Sequence, residues 1–301
     1  MEFIGKTKID FIGKRNISFI ISAVISVIGI IAIAQIALGT ANLGTDFTGG
    51  TALQLKFAKQ IDIHASREAL AKNGITADLQ EISGGNQLLI KVGKTHLALG
   101  KVSGSVQEIF RKEFPANTFT VESSSEIGPS IGDKLRKDTL IAIVISMIGI
   151  ILYIAWRFDF KFGVAAAIAT FHDVLAIFAV FFVLNKEVNL LLITAVLTIA
   201  GYSLTDTVVV FDRIRENLHK NMKDSLGTIF NFSINEVLSR TIITSLTTFL
   251  AATSLFLFGG EVIHDFAFAL VVGIVVGTYS SVFVASPLVV VWENRAKQRT
   301  A

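Results

Sequence analysis

The chain has 301 residues, of which 52% are hydrophobic and 17% are charged, and its mean hydropathy is +0.63. Soluble domains carry roughly 25% charged residues, so this composition excludes an ordinary soluble protein and predicts an integral membrane protein. Because there is no cysteine, disulfides, zinc–thiolate sites and a cysteine nucleophile are excluded. The five histidines lack the paired spacing of a metal site, so we expect no metal or other cofactor.

Six apolar runs are long enough to cross the hydrocarbon core, which takes about 20 residues each. Because backbone in lipid must satisfy its own hydrogen bonds, these runs are predicted to be helices. They cover residues 17–38, 139–156, 162–184, 188–210, 241–258 and 266–292. The first run follows basic residues, as a signal peptide does, but it is longer than the about 7–15 residues of a signal core, which favours a retained anchor.

The basic residues predict the orientation of these helices. With a cytoplasmic N-terminus, fourteen Lys and Arg side chains fall on the cytoplasmic side, and the short outer loops hold only Lys186. We therefore expect both termini in the cytoplasm. The expected organisation is a cytoplasmic N-terminus at 1–16, a first helix at 17–38, an outer domain at 39–137, helices two to six within 138–292 with a cytoplasmic amphipathic segment near 211–239, and a cytoplasmic tail at 293–301.

The outer domain is predicted to be a small α+β fold. Leu53, Leu55 and Phe57 alternate with Gln54 and Lys56, which is typical of a strand with one wet face. Further strands are predicted over 77–82, 87–92 and 119–122, helices over 62–73 and 97–114, a hairpin turn at 84–86 and a hinge over 123–132. The order βαββαβ is that of a ferredoxin-like domain. The expected fold class is a polytopic membrane protein with six transmembrane helices and this domain between the first two.

Asp206, in the fourth apolar run, is the strongest functional candidate. Charging a carboxyl group in a membrane is costly, so such a residue marks an ion pathway by default. A structural hydrogen-bonding residue is the simpler alternative. Arg240 is predicted to begin the fifth helix, and Thr244 and Thr247 continue its face, so antiparallel packing would bring this stripe beside Asp206. For Arg240 the simpler alternative is an anchor at the cytoplasmic side.

His172 and Asp173 lie near the centre of the third run. An aspartate there is expensive unless it is paired or hydrated, which favours a place for Asp173 in a proton pathway. For His172 the same role and a purely structural hydrogen bond to a neighbouring helix are equally open.

Three further motifs have both structural and functional interpretations. Gly273 and Gly277 form a GxxxG pattern, which predicts close helix packing. The charged run after the fourth helix predicts a solvated helix or an interface and comprises Asp212, Arg213, Arg215, Glu216 and Asn217. Asp46, Gly49 and Gly50 predict a turn before the first strand or a coupling element.

The sequence offers no nucleotide site. Gly93-Lys94-Thr95 resembles the end of a phosphate-binding loop, but position 88 is leucine where that motif needs glycine. We therefore expect no enzyme and an energy source other than bound nucleotide.

Four stretches together resemble a known family. They are Asp46-Phe47-Thr48-Gly49-Gly50, the segment 126–132, the segment 201–217 that contains Asp206, and Ser239-Arg240-Thr241-Ile242-Ile243-Thr244-Ser245. They are similar to the signature stretches of the SecF branch of the SecD/SecF family, in the RND superfamily. Thr205 departs from the asparagine expected before the aspartate, and a threonine can still form a hydrogen bond.

The resemblance implies an accessory subunit of the bacterial Sec preprotein translocase in the cytoplasmic membrane. Family members pair with SecD and use the proton-motive force in late steps of export through SecYEG. The implied partners are SecD, SecYEG, YajC, YidC, an unfolded preprotein and membrane lipid, without nucleic acid. The family's transport residues map onto Asp206 and Arg240, and a sodium ion remains an alternative to the proton.

Two other functions compete with this one. Half of an RND-type small-molecule efflux pump would share the six-helix pattern, but such pumps join two units in one long chain. An intramembrane aspartyl protease would need Asp173 and Asp206 as its pair, and Asp206 lacks the Gly-x-Gly-Asp context of that class.

Overall fold

The computed structural model describes residues 7–82, 86–93, 100–220 and 224–300, which form two compact units. The first unit contains the described residues up to Asn42 and from Ala142 onwards, and the second contains those of 43–141. Along the chain the elements are α1 (Arg15–Leu38), α2 (Thr45–Thr48), β1 (Gly50–Phe57), α3 (Ile63–Lys72), β2 (Ala77–Ile82), β3 (Gln87–Val92), α4 (Val102–Glu113), β4 (Phe119–Ile127), α5 (Pro129–Arg157), α6 (Phe160–Val183), α7 (Leu190–Lys220), α8 (Leu226–Phe258), α9 (Glu261–Ser280), a π-helical turn (Ser281–Ala285) and α10 (Ser286–Thr300).

The first unit is helical, and the six predicted spans are confirmed by the length and apolar composition of its helices. α6 and α7 form its interior, since more than half of each spanning segment is buried. The sixth span continues from α9 through the π-helical turn into α10. Residues 7–14, here called the strap, precede α1, and the strap's Phe11 and Ile12 are buried in the same core as Phe211 and Phe230.

One prediction about the ends of these helices is wrong. Much of the polar segment near 211–239 is helical, because α7 continues to Lys220 and α8 begins at Leu226. Arg240 therefore lies well inside α8 and does not begin it. Hydrogen bonds between the two polar extensions, which are the polar end of α7 and the polar start of α8, explain why both helices continue beyond their apolar runs. Arg213 donates to Glu236 at 2.6 Å, and Asn217 donates to Ser233 at 3.0 Å.

The second unit is the predicted antiparallel sheet with helices. The strand order is β2-β3-β1-β4 and all described pairs are antiparallel, which confirms the ferredoxin-like βαββαβ arrangement. Leu55 of β1 pairs with Leu88 of β3, and both are fully buried. Phe110 of α4 covers them and contacts Phe57 with ring centroids 5.6 Å apart. Alternation along β1 thus supplies the core face of this unit.

Several local predictions for this unit need correction. The strand predicted over 119–122 extends to Ile127 and α5 follows at Pro129, so the predicted hinge over 123–132 is wrong. Gln54 is only 5% exposed because its amide donates to Glu122 at 3.2 Å across β1 and β4. The hairpin residues Gly84 and Gly85, Lys94 and Thr95 of the rejected phosphate motif, and the first residues of the helix predicted over 97–114 lie outside the described residues.

Candidate functional site

Asp206 lies on the buried face of α7, where it meets α8 and α9. Asp206 is only 8% exposed, and its carboxylate accepts a hydrogen bond from Ser245 Oγ of α8 at 3.2 Å. Ser245 Oγ in turn accepts a hydrogen bond from Thr278 Oγ1 of α9 at 2.8 Å. A chain of two hydroxyl groups therefore leads away from the carboxylate, and hydroxyl groups can both donate and accept a proton.

The two hydroxyl groups open onto an apolar groove of about 540 Å³ between the strap, α8 and α9. Its other lining residues are apolar or aromatic and include Ile9 and Phe11 of the strap. Within the described residues, no Lys, Arg or His side chain forms an ion pair with Asp206. In this conformation the hydrogen-bond partner of the carboxylate is a hydroxyl group, and among the described residues no ion pair compensates a charge on it.

The structure places Arg240 on the opposite side of α8 from Ser245. Arg240, Thr244 and Thr247 are all exposed, whereas Thr241 and Ser245 are buried against the bundle. The two threonine hydroxyls of the exposed stripe donate to backbone carbonyl groups of their own helix, at 3.0 and 2.9 Å. α8 does pack against α7, but the expectation that the Arg240 stripe lies beside Asp206 is wrong for this conformation.

Asp173 forms a second and separate polar cluster at the junction of α6, α7 and α9. It is fully buried, and its Oδ2 accepts hydrogen bonds from Ser203 Oγ and from Ser280 Oγ, the latter at 2.8 Å. His172 Nδ1 lies 3.0 Å from Oδ1, while His172 Nε2 is buried without a hydrogen-bond partner among the described residues.

The two aspartates do not form a protease-like pair. Asp173 binds Ser203 and Ser280, whereas Asp206 binds Ser245, and the structure gives no hydrogen bond that joins the two carboxyl groups within its described residues. An aspartyl protease needs carboxyl groups that share one proton. The geometry therefore argues against that alternative.

Gly273 and Gly277 allow α9 to approach α7 closely. A Cβ atom on Gly273 would lie 2.6 Å from Ile199, and one on Gly277 would lie 3.0 Å from Ser203. This close approach brings Ser280 to Asp173. The next residue, Ser281, begins the π-helical turn, and its hydroxyl group lies 3.0 Å from that of Thr207. Such π-helical turns are frequent at functional sites.

The charged motif after Asp206 ties α7 to its neighbours. Asp212 accepts two hydrogen bonds from Arg157 of α5, the longer one at 2.7 Å. The other contacts of the motif are Arg213 with Glu236 and Glu216, Arg215 with Asp159 at 3.7 Å, Glu216 with Lys220, and Asn217 with Ser233 and Glu236. Arg213 donates hydrogen bonds to both Glu236 and Glu216 and attracts each carboxylate, so these contacts form a network and not isolated pairs.

Asp46, Gly49 and Gly50 belong to the second unit, where the short helix α2 leads into β1. Gly49 and Gly50 have φ values of 70° and 123°, which side chains disfavour, and a Cβ atom on Gly50 would lie 2.5 Å from the Val92 carbonyl oxygen. A Cβ atom on Gly132 of α5 would lie 3.1 Å from the Gly49 nitrogen. The motif therefore packs tightly between β3 and the start of α5.

Sequence reasoning missed the hydroxyl partners of both carboxylates. Ser245, Thr278 and Ser280 are short polar residues in apolar helices, where such residues are common, so only their contacts distinguish them. Among the described residues, no group of three or more His, Asp or Glu side chains is arranged to hold a metal ion.

Comparisons with known proteins identify the family. The family model described as "Protein export membrane protein SecD/SecF, C-terminal" matches residues 106–295, and the SecD/SecF GG motif matches residues 41–61. The protein translocase subunit SecF of Thermodesulfovibrio yellowstonii is 50% identical over 96% of both chains. That of Calditerrivibrio nitroreducens is 42% identical over 99% of this chain and 96% of the relative.

A solved structure agrees with these sequence matches. The crystal structure of SecDF from Thermus thermophilus, titled a translocon-associated membrane protein, superimposes with a TM-score of 0.84 at 36% identity. The match covers 96% of this chain but only 39% of the longer SecDF chain. The resemblance to SecF found in the sequence is thereby confirmed, and the chain belongs to the SecD/SecF family of protein export membrane proteins.

Proposed function

We propose that the chain is the SecF subunit of a bacterial protein translocase, and that ion entry through its spanning helices assists export. The observation that carries the proposal is the buried carboxyl group of Asp206, which lies in a spanning helix and binds a chain of hydroxyl groups. The chain that contains it belongs to a protein export family. No described feature of the chain supplies another energy source. The ion gradient across the membrane is the source that such a carboxylate can use.

A partner helix bundle of the SecD type is part of this proposal. The Thermus SecDF chain joins a region similar to this chain to a longer remainder, which supports a SecD partner for the separate chain. The exposed sides of α7 and α8 support it as well, since they carry Thr194, Thr198, Gly201, Thr205 and Arg240 at spanning depth. Small and polar side chains of this kind favour contact with another helix over contact with lipid.

In the proposed cycle Asp206 takes up a proton from the outer side and releases it to the cytoplasm. Arg240 stabilises the charged carboxylate in a second arrangement, and Thr244 and Thr247 border its path. Asp173 and His172 remain predicted members of the pathway, and the 3.0 Å contact between Asp173 Oδ1 and His172 Nδ1 supports a role beside Asp206. Both termini are proposed to be cytoplasmic, with the second unit outside.

The second unit is proposed to contact the emerging preprotein, and Asp46, Gly49 and Gly50 are proposed to transmit movement to it. β2 and β4 are the outer strands of the sheet, and β4 has mostly exposed side chains, so an extended segment can add to that edge without sequence preference. SecYEG, YajC and YidC are proposed as further partners in the membrane.

The test is export in vesicles that contain SecYEG, SecD and the chain, under an imposed proton or sodium gradient. Asp206→Asn keeps the shape of the side chain but releases no proton, so gradient-driven export should stop while SecA-driven initiation and SecD binding persist. Asp224→Asn is the control, because that side chain is exposed and lies between α7 and α8. Normal gradient-driven export by Asp206→Asn would refute the proposal.

A further inference from the structure

The strap is fastened to α8 by two asparagines that lie one turn apart. Asn235 Oδ1 accepts hydrogen bonds from Thr7 Oγ1 at 2.6 Å and from the Ile9 backbone nitrogen at 3.0 Å, and its Nδ2 donates to the Ile9 carbonyl oxygen at 2.9 Å. Side-chain amides that bond both to a backbone N–H and to a backbone C=O imitate the pairing of a β-strand. The strap is therefore held in one register along α8.

Asn231 binds the strap one turn earlier in α8. Its Oδ1 accepts hydrogen bonds from the Phe11 and Ile12 backbone nitrogens at 2.9 and 3.0 Å, and its Nδ2 donates to Asp10 at 2.7 Å. Asp10 Oδ1 also accepts from the Gly13 nitrogen at 2.8 Å, which closes the turn before α1. Six hydrogen bonds thus join the strap to the two asparagines.

The far side of the strap contacts the region around Asp206. Phe11 lies against Phe283 of the π-helical turn, with ring centroids 5.3 Å apart. Ile9 and Phe11 also line the apolar groove onto which Ser245 and Thr278 open. The strap therefore contacts both the first part of α8 and the π-helical turn that follows α9, the helix that carries Thr278.

α8 offers no place at which its two halves can turn independently. It runs from Leu226 to Phe258 without proline and without glycine after Gly227, and sharp kinks occur at such residues. Arg240 and Ser245 lie on opposite sides of this helix, so Arg240 reaches Asp206 only if the helix rotates or slides. That movement carries Asn231 and Asn235 with it, away from the backbone groups that they bind.

We infer that Asn231 and Asn235 are positioning residues that hold α8 in the arrangement where Ser245 faces Asp206, and that the strap releases them when Arg240 takes the place of Ser245. The inference rests on the proposed function, because it assigns a purpose to the movement of Arg240. In the second arrangement the strap leaves α8, and Ile9 and Phe11 no longer line the groove beside Ser245 and Thr278.

The test fixes the strap to α8 and measures export. Thr7→Cys and Asn235→Cys are joined by a short, reducible thiol crosslinker in the full chain, reconstituted with SecD and SecYEG. The chain has no cysteine of its own, so no other site in it reacts. Asp10→Cys with Asn231→Cys gives a second, independent crosslink if the first variant fails to fold. Lys161→Cys with Glu293→Cys, which joins α6 to α10 at the same end of the bundle, is the control.

Crosslinking the strap should slow gradient-driven export by about tenfold, and reduction should restore it, while SecA-driven initiation continues throughout. The control crosslink should leave gradient-driven export unchanged. Equal rates before and after crosslinking of the strap overturn the inference, and so does an equal loss with the control crosslink. If the unsubstituted chain, reconstituted in the same vesicles, ignores the gradient, the ion-driven function itself fails, and the inference fails with it.

Discussion

Replacement of Gly273 by alanine should separate α9 from α7 and disturb both carboxylate clusters. The added Cβ would lie 2.6, 2.7 and 2.9 Å from three atoms of Ile199, where ordinary contact begins at 3.4 Å. Ile199 is β-branched and stiff, so relief requires a movement of α9 by about 0.8 Å. Two hydrogen bonds from α9, Ser280 to Asp173 and Thr278 to Ser245, are each 2.8 Å long and would be stretched beyond about 3.2 Å.

The expected loss of stability follows from these two effects. Overpacking costs about 1–3 kcal/mol, and each weakened hydrogen bond costs about 0.5–1.5 kcal/mol. Because the effects share one movement they do not add fully, and we expect about 2–4 kcal/mol in total. For a chain of this size that loss lowers the midpoint of thermal unfolding by about 3–6 °C.

The assay is thermal unfolding of the purified chain in detergent, with two matched comparisons. Gly149→Ala is the control, since no atom lies within 4 Å of a Cβ atom at that exposed position, and its midpoint should stay the same or rise slightly. Ile199→Ala should rescue Gly273→Ala, so that the double variant is more stable than the two single effects predict. Equal midpoints for Gly273→Ala and Gly149→Ala would refute the close packing from which the argument starts.

Three further outcomes are expected. Ser245→Ala removes the hydroxyl partner of Asp206 and should slow gradient-driven export about tenfold in vesicles, and an unchanged rate would count against the hydroxyl chain. The bidentate pair of Arg213 and Glu236 should show a coupling of about 0.5–1 kcal/mol in a double-mutant cycle by thermal unfolding, and additive effects would contradict a contact in solution. Hydrogen bonds from the Gly13 backbone and from Asn231 lower the pKa of Asp10 below its usual 3.8. The stabilisation of the strap by the charged Asp10 is therefore present above pH 3.8 and is lost as the pH falls through the lowered pKa. Proteolysis within the strap should therefore increase on acidification below about pH 4 in the wild type, and Asp10→Asn should abolish that change.

The sequence predicts the number of spans and the βαββαβ order well because both depend on strong periodic signals. The second unit alternates apolar side chains along β1, and each spanning helix is a long apolar run. Helix ends are predicted less well, because an apolar run ends at the membrane surface whereas the helix does not. Here Arg213 and Glu236, in the polar extensions, stabilise turns that no hydropathy pattern marks.

The face by which α8 meets α7 is beyond prediction from the sequence for a different reason. Polar side chains occur around the whole helix, since Thr241, Thr244, Ser245 and Thr248 cover several directions. A threonine inside a membrane helix satisfies its hydroxyl group on its own backbone, as Thr244 and Thr248 do at 3.0 Å. Such residues tolerate either environment, so their spacing carries little information on which side is buried.

The partners of the two aspartates indicate which of them changes state when α8 moves. Asp173 is held by residues of α6, α7 and α9, so a rotation of α8 leaves its hydrogen bonds in place. Asp206 has its hydrogen bond from α8 itself, and the same helix carries Arg240 on its other side. One rigid helix can therefore exchange a neutral donor for a cation at Asp206 alone. On this argument we propose that Asp206 is the carboxylate that loads and unloads as α8 moves, while the hydrogen bonds of Asp173 to α6, α7 and α9 stay in place.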